Sequence, residues 1–212
     1  MIATTEEKKL LTADEYLALE RKTLREKAGK HEFFNHKRIL MAGGTHAHNK
    51  TVYNIGFILG MKSMQTNLNL DITTSETKVI SFLNYKNYMY PDVVVVEGKP
   101  YFEDDKKDIL VNPTLLIEVL SDSTEAFDRG DKFTSYRQIK SLREYILINS
   151  TKKTIEQYYS DEKGQWQIGA VVTEGSVTLQ SLNLTFDIDE IYANVTFEEV
   201  KTHLKSDENE GV

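Results

Sequence analysis

The sequence contains no cysteine, and this absence excludes several kinds of site. Disulfide bonds, zinc sites built on thiolates and a cysteine nucleophile are all ruled out. The good metal ligands that remain are oxygen atoms and the imidazole nitrogens of five histidines. Any bound metal is therefore expected to be a hard cation, or one held by histidine.

The chain also lacks a long hydrophobic run. Its first ten residues carry Glu6, Glu7, Lys8 and Lys9 in place of an apolar core, which argues against a signal peptide. No apolar run approaches the roughly 20 residues needed to cross a bilayer. We therefore expect a cytoplasmic protein with no membrane partner.

Positive charge is scarce, because 26 lysines and arginines face 33 aspartates and glutamates, for a net charge of -7. Binding to nucleic-acid phosphates is driven largely by basic side chains that displace counterions. The composition therefore disfavours tight, nonspecific DNA binding, although it leaves room for a local basic groove. Part of the acidity lies in residues 206–212, which we predict to be a polar acidic tail.

The length of 212 residues fits one domain that can bury a substantial core, and we assign it residues 1–205. Periodicity and capping signals predict helices at residues 12–27, 46–65, 124–139 and 197–204. Strands are predicted at residues 31–41, 68–74, 77–83, 90–96, 114–120, 144–148, 154–159, 166–172 and 176–179. The fold class is therefore α/β.

Two predicted strands, around residues 93–96 and 115–117, are apolar without alternation, as is typical of central strands covered on both faces. Helices should therefore pack on both sides of the sheet. Hairpin turns at residues 161–164 and 173–175 predict a C-terminal antiparallel β extension.

Two carboxylates stand out from these apolar strands. Glu118 lies inside the run of residues 115–120, where burial of an unpaired charge would cost several kcal/mol. Asp92 follows Pro91 at the start of the four-valine strand. Carboxylates at the ends of adjacent central strands can converge on one point and hold a hard divalent cation, together with water and substrate phosphate. Alternatively, Glu118 forms a buried ion pair with Lys132 or an arginine, without any metal, and Asp92 caps a turn.

An ordered set of motifs closely resembles the Uma2 family over most of the chain. The motifs are YPDVVV at residues 90–95, PTLLIEVLS at 113–121, DRGDK at 128–132, Tyr136, and LREY at 142–145. The resemblance implies the PD-(D/E)XK restriction-endonuclease-like fold, a mixed central sheet flanked by helices. It also implies that Asp92 is the aspartate of the PD element and Glu118 the acidic residue of the second element.

The sequence departs from the superfamily pattern at Leu120, where the catalytic lysine is expected. The Uma2 pattern takes a lysine from the following helix instead, and Lys132 matches it. Asp128, Lys132 and Tyr136 are spaced by four, so they form one stripe on that helix. A simple intrahelical pair between Lys132 and Asp128 is the alternative.

Glu32 and His48 are auxiliary candidates. Glu32 matches a glutamate near the start of the Uma2 pattern, and His48 lies at the N-terminus of the second helix, where a phosphate could bind. His46 and His48 are two apart and face different sides of a helix, which disfavours a shared zinc ion. A histidine-based metal hydrolase that uses both histidines and Glu32 is the least favoured enzyme class.

The resemblance implies a metal-dependent endonuclease acting on phosphodiester bonds of nucleic acid, with DNA as the expected substrate. Mg²⁺ or Mn²⁺ would be held by Asp92, Glu118 and the backbone carbonyl of Val119, and Lys132 would act on the attacking water and the phosphate. A homodimer is expected, because such enzymes often pair two sites. The alternative, motivated by Leu120 and the acidic charge, is a catalytically inactive module that binds nucleic acid or regulates another protein.

Overall fold

The computed structural model describes residues 10–197. All but the first residue of the helix predicted for residues 197–204, and the whole of the predicted acidic tail, lie outside this part of the chain. The described helices are α1 Ala13–Arg25, α2 His46–Thr66, α3 Glu125–Phe127, α4 Phe133–Tyr136 and α5 Ile188–Ile191, with a π-helical turn at Asp128–Lys132 between α3 and α4. None of them is long and apolar enough to cross a membrane.

Thirteen strands are described, and all but one of the predicted strand regions contain one strand each. They are β1 His31–Phe34, β2 Lys37–Leu40, β3 Leu70–Thr74, β4 Lys78–Leu83, β5 Tyr85–Met89, β6 Val93–Glu97, β7 Ile109–Leu110, β8 Leu115–Leu120, β9 Glu144–Asn149, β10 Ile155–Ser160, β11 Trp166–Ile168, β12 Ser176–Leu179 and β13 Leu184–Asp187.

Local signals fix the start of α1. The hydroxyl of Thr12 accepts a hydrogen bond from the Glu15 amide at 3.2 Å, and the Glu15 carboxylate accepts one from the Thr12 amide at 2.9 Å. This reciprocal pair satisfies two amides that would otherwise lack an intrahelical partner. The predicted capping box is therefore confirmed, and the helix ends two residues before the predicted boundary.

Two mixed sheets form the body of the molecule. The central sheet has the order β11-β10-β9-β8-β6-β3, in which β8 and β9 are parallel and the other neighbours antiparallel. The second sheet has the order β2-β1-β5-β4-β7, and β12 and β13 form a separate hairpin. The predicted mixed α/β fold is confirmed, and β10 and β11, joined by the predicted turn at residues 161–164, supply its antiparallel extension. The hairpin predicted at residues 173–175 is wrong, because β11 and β12 lie in different sheets and β12 pairs with β13.

Both faces of the central sheet are covered, as the apolar strands predict. Ile55 and Leu59 of α2 pack on one face against Val93 and Ile117. Tyr136 of α4 packs on the other face, in a cluster that includes Val94 and Leu116. Side chains therefore alternate between two apolar layers along β6 and β8.

The single strand predicted for residues 31–41 is wrong, because the chain turns back on itself. Asn35 and His36 have φ angles of 48° and 63°, and β1 pairs antiparallel with β2 across this turn. Two residues with positive φ are characteristic of a tight hairpin turn, and asparagine tolerates that conformation well. Asn35 and His36 thus form the turn of a β-hairpin.

The helix predicted for residues 124–139 is present at residues 125–136, but it is not α-helical throughout. Only α3 and α4 are α-helical, the turn between them is wider, and α4 ends at Tyr136. Gly130 lies in the middle of this π-helical turn, where its low helix propensity weakens the regular pattern. Such turns occur frequently at functional sites.

Candidate active site

The register of β6 and β8 brings Asp92 and Glu118 together. These strands are antiparallel and pair Val93 with Ile117, so one further position sets Asp92 opposite Glu118. Directly opposed residues have Cβ atoms about 5 Å apart. Glu118 also alternates with Leu116 and Leu120, so it occupies an otherwise apolar row that faces α4.

Two neighbours fix one oxygen of Asp92. Oδ2 accepts a hydrogen bond from the Val119 amide at 2.8 Å and lies 3.2 Å from Nε2 of His48. The other ring nitrogen of His48, Nδ1, lies 3.3 Å from Oδ1 of Asn49. Both nitrogens therefore face acceptors, an arrangement that suits the doubly protonated imidazolium.

The pKa of His48 reflects this arrangement. Burial disfavours the charged ring, but the hydrogen bond to Asp92 and the charge of that carboxylate outweigh it and raise the pKa of His48. The histidine lies in the first turn of α2, whose N-cap Thr45 accepts a hydrogen bond from its amide. His48 thus holds the Asp92 carboxylate in place from α2.

Glu118 is buried, with its side chain only 3% exposed. Its Oε1 lies 2.9 Å from Nζ of Lys132 and accepts a hydrogen bond from the Tyr136 hydroxyl at 3.4 Å. Burial raises the pKa of Glu118 well above its ordinary value, and although Lys132 opposes this, the carboxylates of Asp128, Asp92 and Glu32 add to it.

Lys132 is surrounded by carboxylates. Its Nζ lies 2.9 Å from Glu118, 3.1 Å from Glu32 and 3.3 Å from Asp128, and its side chain is 5% exposed. Burial alone would lower the pKa of this lysine, but the neighbouring negative charges raise it well above its ordinary value. The Lys132 ammonium is therefore charged and points into the cluster, not toward solvent.

Glu32 ties the second sheet to the cluster. Its Oε1 contacts Lys132 and also accepts a hydrogen bond from the amide of Tyr90 at 3.0 Å. Tyr90 is two residues before Asp92, so this bond restrains the segment that carries the aspartate. The two sheets therefore meet at the cluster.

A cavity of about 390 Å³ opens onto these groups. It is lined by Asp92, Glu118, Lys132, Glu32, His48 and Asp128, while Ile39 and Leu40 of β2 and the adjoining Met41 form an apolar wall. Such a cleft, largely apolar with a few converging polar groups, is typical of a binding site.

The donor atoms fit a hard cation. Within residues 10–197, Oδ1 of Asp92 and Oε2 of Glu118 make no hydrogen bond or ion pair, whereas the other oxygen of each carboxylate is held by the protein. No group of three or more acidic or histidine side chains in the same range is arranged to enclose a metal ion. A cation bound here would take its other ligands from water, backbone or substrate, as Mg²⁺ commonly does.

All five predicted side chains line this one cavity, which the sequence alone could not establish. Sequence reasoning does not assign Asp128 to the site, although its spacing of four from Lys132 points to it. Tyr136, whose hydroxyl bonds to Glu118, is a second such residue. Leu120 is buried in the core. His46 is exposed, and the cavity lining contains His48 without it. The geometry thus gives no support to a site that uses both histidines.

Comparisons with known proteins agree with this architecture. The sequence model of the Uma2 family, described as "Putative restriction endonuclease", matches residues 13–189. The uncharacterized proteins sll1609 and slr1290 of Synechocystis sp. are 31% and 33% identical to the chain, over 83% and 88% of its length and 94% of their own.

A solved structure shares the fold. It is that of a putative nuclease belonging to DUF820 from Anabaena variabilis, with a TM-score of 0.67 and 17% identity over 86% of this chain and 97% of that one. The family match extends over well more than half of the chain and includes Asp92, Glu118 and Lys132. The chain belongs to the Uma2 family.

Proposed function

We propose that this protein is a metal-dependent endonuclease that hydrolyses phosphodiester bonds of nucleic acid, with DNA as the expected substrate. One observation carries the proposal: Asp92 directly precedes β6, whose register with β8 sets it beside Glu118, and each of the two has one carboxylate oxygen held by the protein and one left unbonded within residues 10–197. Family membership and the nuclease-like fold support the same reaction class.

Asp92, Glu118 and the carbonyl of Val119 would hold Mg²⁺ or Mn²⁺. When bound, the cation lowers the pKa of a coordinated water and neutralises charge on the phosphate. The charge balance of the cluster favours such a ligand, because four carboxyl groups face one lysine and one histidine. A divalent cation would offset this excess and favour the ionised form of Glu118.

The other side chains position these ligands and the substrate. His48 and the Val119 amide orient the Asp92 carboxylate, and Tyr136 and Lys132 orient that of Glu118. Lys132 also supplies the positive charge expected from a lysine at position 120, where this chain has Leu120. Its ammonium would stabilise the negative charge that develops on the phosphate. The proposed catalytic groups are therefore Asp92, Glu118 and Lys132, with Glu32 and His48 in auxiliary positions.

The alternative is a binding module that keeps the fold without catalysis. An active site needs a cation beside its carboxylates, and Lys132 supplies one, with its Nζ 2.9 Å from Oε1 of Glu118. The same ammonium also stabilises the buried carboxylates, so cleavage itself separates the two functions. Cleavage by the wild-type protein would exclude the inactive module directly.

The test is a nicking assay with supercoiled plasmid, linear duplex, single-stranded DNA and RNA, each with Mg²⁺, Mn²⁺ or EDTA. We expect cleavage only with a divalent metal, and its loss in Asp92→Ala and in Glu118→Gln. Asp71→Ala is the matched control, because Asp71 is exposed on β3 and lies outside the cavity lining. Equal cleavage by wild type and Asp92→Ala would refute the proposal.

Two further expectations accompany the proposal. A homodimer would carry two active sites, one for each strand of a duplex. Sedimentation at micromolar concentration should then show a mass twice that of the 24.4 kDa chain. A monomer would contradict this part alone. The cytoplasmic location remains a prediction, to be checked by fractionation of cells that express the protein.

A further inference from the structure

Two aromatic rings lie exposed side by side on α2. Tyr53 and Phe57 are 61% and 54% exposed, their ring centroids are 6.2 Å apart, and the ring planes differ by only 9°. They are four residues apart, so they share one helix face. The other face of α2 packs on the central sheet, so this pair is not part of the core.

The surroundings of the rings favour an anionic ligand. A groove of about 360 Å³ is lined by Asn49, Val52, Tyr53, Gly56, Phe57 and Thr74, and no acidic side chain is among them. Nζ of Lys50 lies 5.1 Å from the centre of the Tyr53 ring, and Lys50 makes no ion pair within residues 10–197. The chain as a whole carries a net charge of -7, whereas this groove has no carboxylate in its lining and a lysine beside one ring. The local charge therefore favours an anionic ligand.

The groove adjoins the cavity of the candidate active site. Asn49 lines the groove and contacts His48, which in turn holds Asp92. Along the helix axis, Tyr53 is about 6 Å beyond Asn49, at about 1.5 Å per residue. A nucleic-acid strand advances about 3.4 Å per nucleotide, so the rings lie within a few nucleotides of a phosphate bound at Asp92.

We propose that Tyr53 and Phe57 form a stacking platform for unpaired bases of the strand that the site cleaves, with Lys50 facing its backbone. The inference rests on the proposed function and narrows its substrate to nucleic acid with single-stranded character beside the scissile bond. Exposed parallel rings with a nearby cation bind unpaired bases by stacking, without regard to sequence. Bases inside a duplex are already stacked and cannot reach the rings.

The competing occupant is a second copy of this chain. Met61 and Met64 continue the exposed apolar surface of α2, as a helix-to-helix interface would require. The base platform is favoured because the lysine and the link to the active-site cavity lie at the Tyr53 end of the helix. Met64, which is 77% exposed, lies more than two turns away from Tyr53 and serves as the control position.

The experiment measures binding in EDTA, so that cleavage cannot interfere. Three probes are used: a labelled 20-nucleotide single strand, the same strand carrying 2-aminopurine, and the corresponding duplex. Binding of the labelled strand is measured by fluorescence anisotropy. We expect the Tyr53→Ala/Phe57→Ala protein to bind the single strand at least about tenfold more weakly and to lose the quenching of 2-aminopurine. Duplex affinity should change less, Met64→Ala should behave as wild type, and Tyr53→Phe should retain binding.

Three results would overturn the platform. The first is unchanged affinity for the single strand in the double variant. The second is an equal loss of affinity for the single strand and the duplex. The third is conversion of a wild-type dimer to a monomer both by the double change at Tyr53 and Phe57 and by Met64→Ala. The last result would assign the surface to a second copy. Failure of the proposed function gives a different result. If 2-aminopurine quenching depends on Tyr53 but the protein cuts no substrate with any metal, the stacking platform is supported and the endonuclease function is refuted.

Discussion

Replacing Lys132 by methionine removes the one ammonium within residues 10–197 that contacts Glu118, Glu32 and Asp128. Methionine keeps much of the length and packing of lysine without its charge. Breaking a buried ion pair in this way costs about 3–5 kcal/mol, because the partner is left without compensation. We therefore expect Lys132→Met to lose about that much free energy of unfolding at neutral pH, a large share of the total stability of a typical domain.

The pH dependence follows from the pKa shifts. The pKa of Lys132 is raised, so its stabilising effect is fully present below the ordinary pKa of lysine and is lost only as the pH rises through the higher folded value. The pKa of Glu118 is already raised, and loss of Lys132 raises it further, so the variant gains stability as the pH falls and this carboxyl is protonated. The stability difference should be smaller at pH 5 than at pH 8.

The assay is urea unfolding at both pH values for wild type, Lys132→Met, Lys132→Arg and the exposed control Lys140→Met. Plasmid nicking by the same proteins should fall by at least about 100-fold in Lys132→Met, because the charge that stabilises the transition state is lost. Wild-type stability in Lys132→Met would refute the buried cluster. Wild-type cleavage in this variant, in a protein that cleaves through Asp92, would refute the catalytic role of Lys132.

Two other predictions concern charged groups. Burial raises the pKa of Asp108, but Arg21 and Lys78 outweigh this effect and lower the pKa to about 2. Asp108→Asn should therefore lower the free energy of unfolding by about 2 kcal/mol above pH 4. In urea unfolding, the difference from wild type should shrink as the pH falls toward 2. His48→Asn should weaken Mn²⁺ binding about 10–100-fold in titration calorimetry, because Asp92 loses one of its two orienting partners and keeps only the Val119 amide. The pKa of His48 is raised, so its stabilising effect should be complete below pH 6.5 and disappear as the pH rises through the folded value.

Sequence reasoning succeeded where the signal is local. The capping box of Thr12 and Glu15 sets the start of α1, and a carboxylate inside an apolar strand identifies Glu118 without any knowledge of its neighbours. The proximity of Asp92 also follows, because Asp92 directly precedes one apolar central strand and Glu118 lies inside another. Family resemblance supplied Lys132, which spacing alone left equally open to an intrahelical pair.

The features that were missed depend on tertiary contacts. Strand β5 contains Lys86 and Asn87, which interrupt the hydrophobic pattern, and Asn87 is buried only because its side chain bonds to Asn35 and Ser135. Asp128 lies in a segment rich in charge that looks like a solvated helix surface, yet it is 3% exposed. Burial of these polar residues is set by partners far away in the sequence, which periodicity does not reveal.

The central claim is that Asp92 and Glu118 together hold a divalent cation. It is tested most directly by Mn²⁺ titration of the metal-free protein, followed by electron paramagnetic resonance of the free ion, for wild type, Asp92→Ala and the exposed control Asp71→Ala. We expect a saturable site in wild type and Asp71→Ala that is lost in Asp92→Ala, with affinity that increases with pH as Glu118 gives up its proton. Equal Mn²⁺ binding by wild type and Asp92→Ala would contradict the shared cation site.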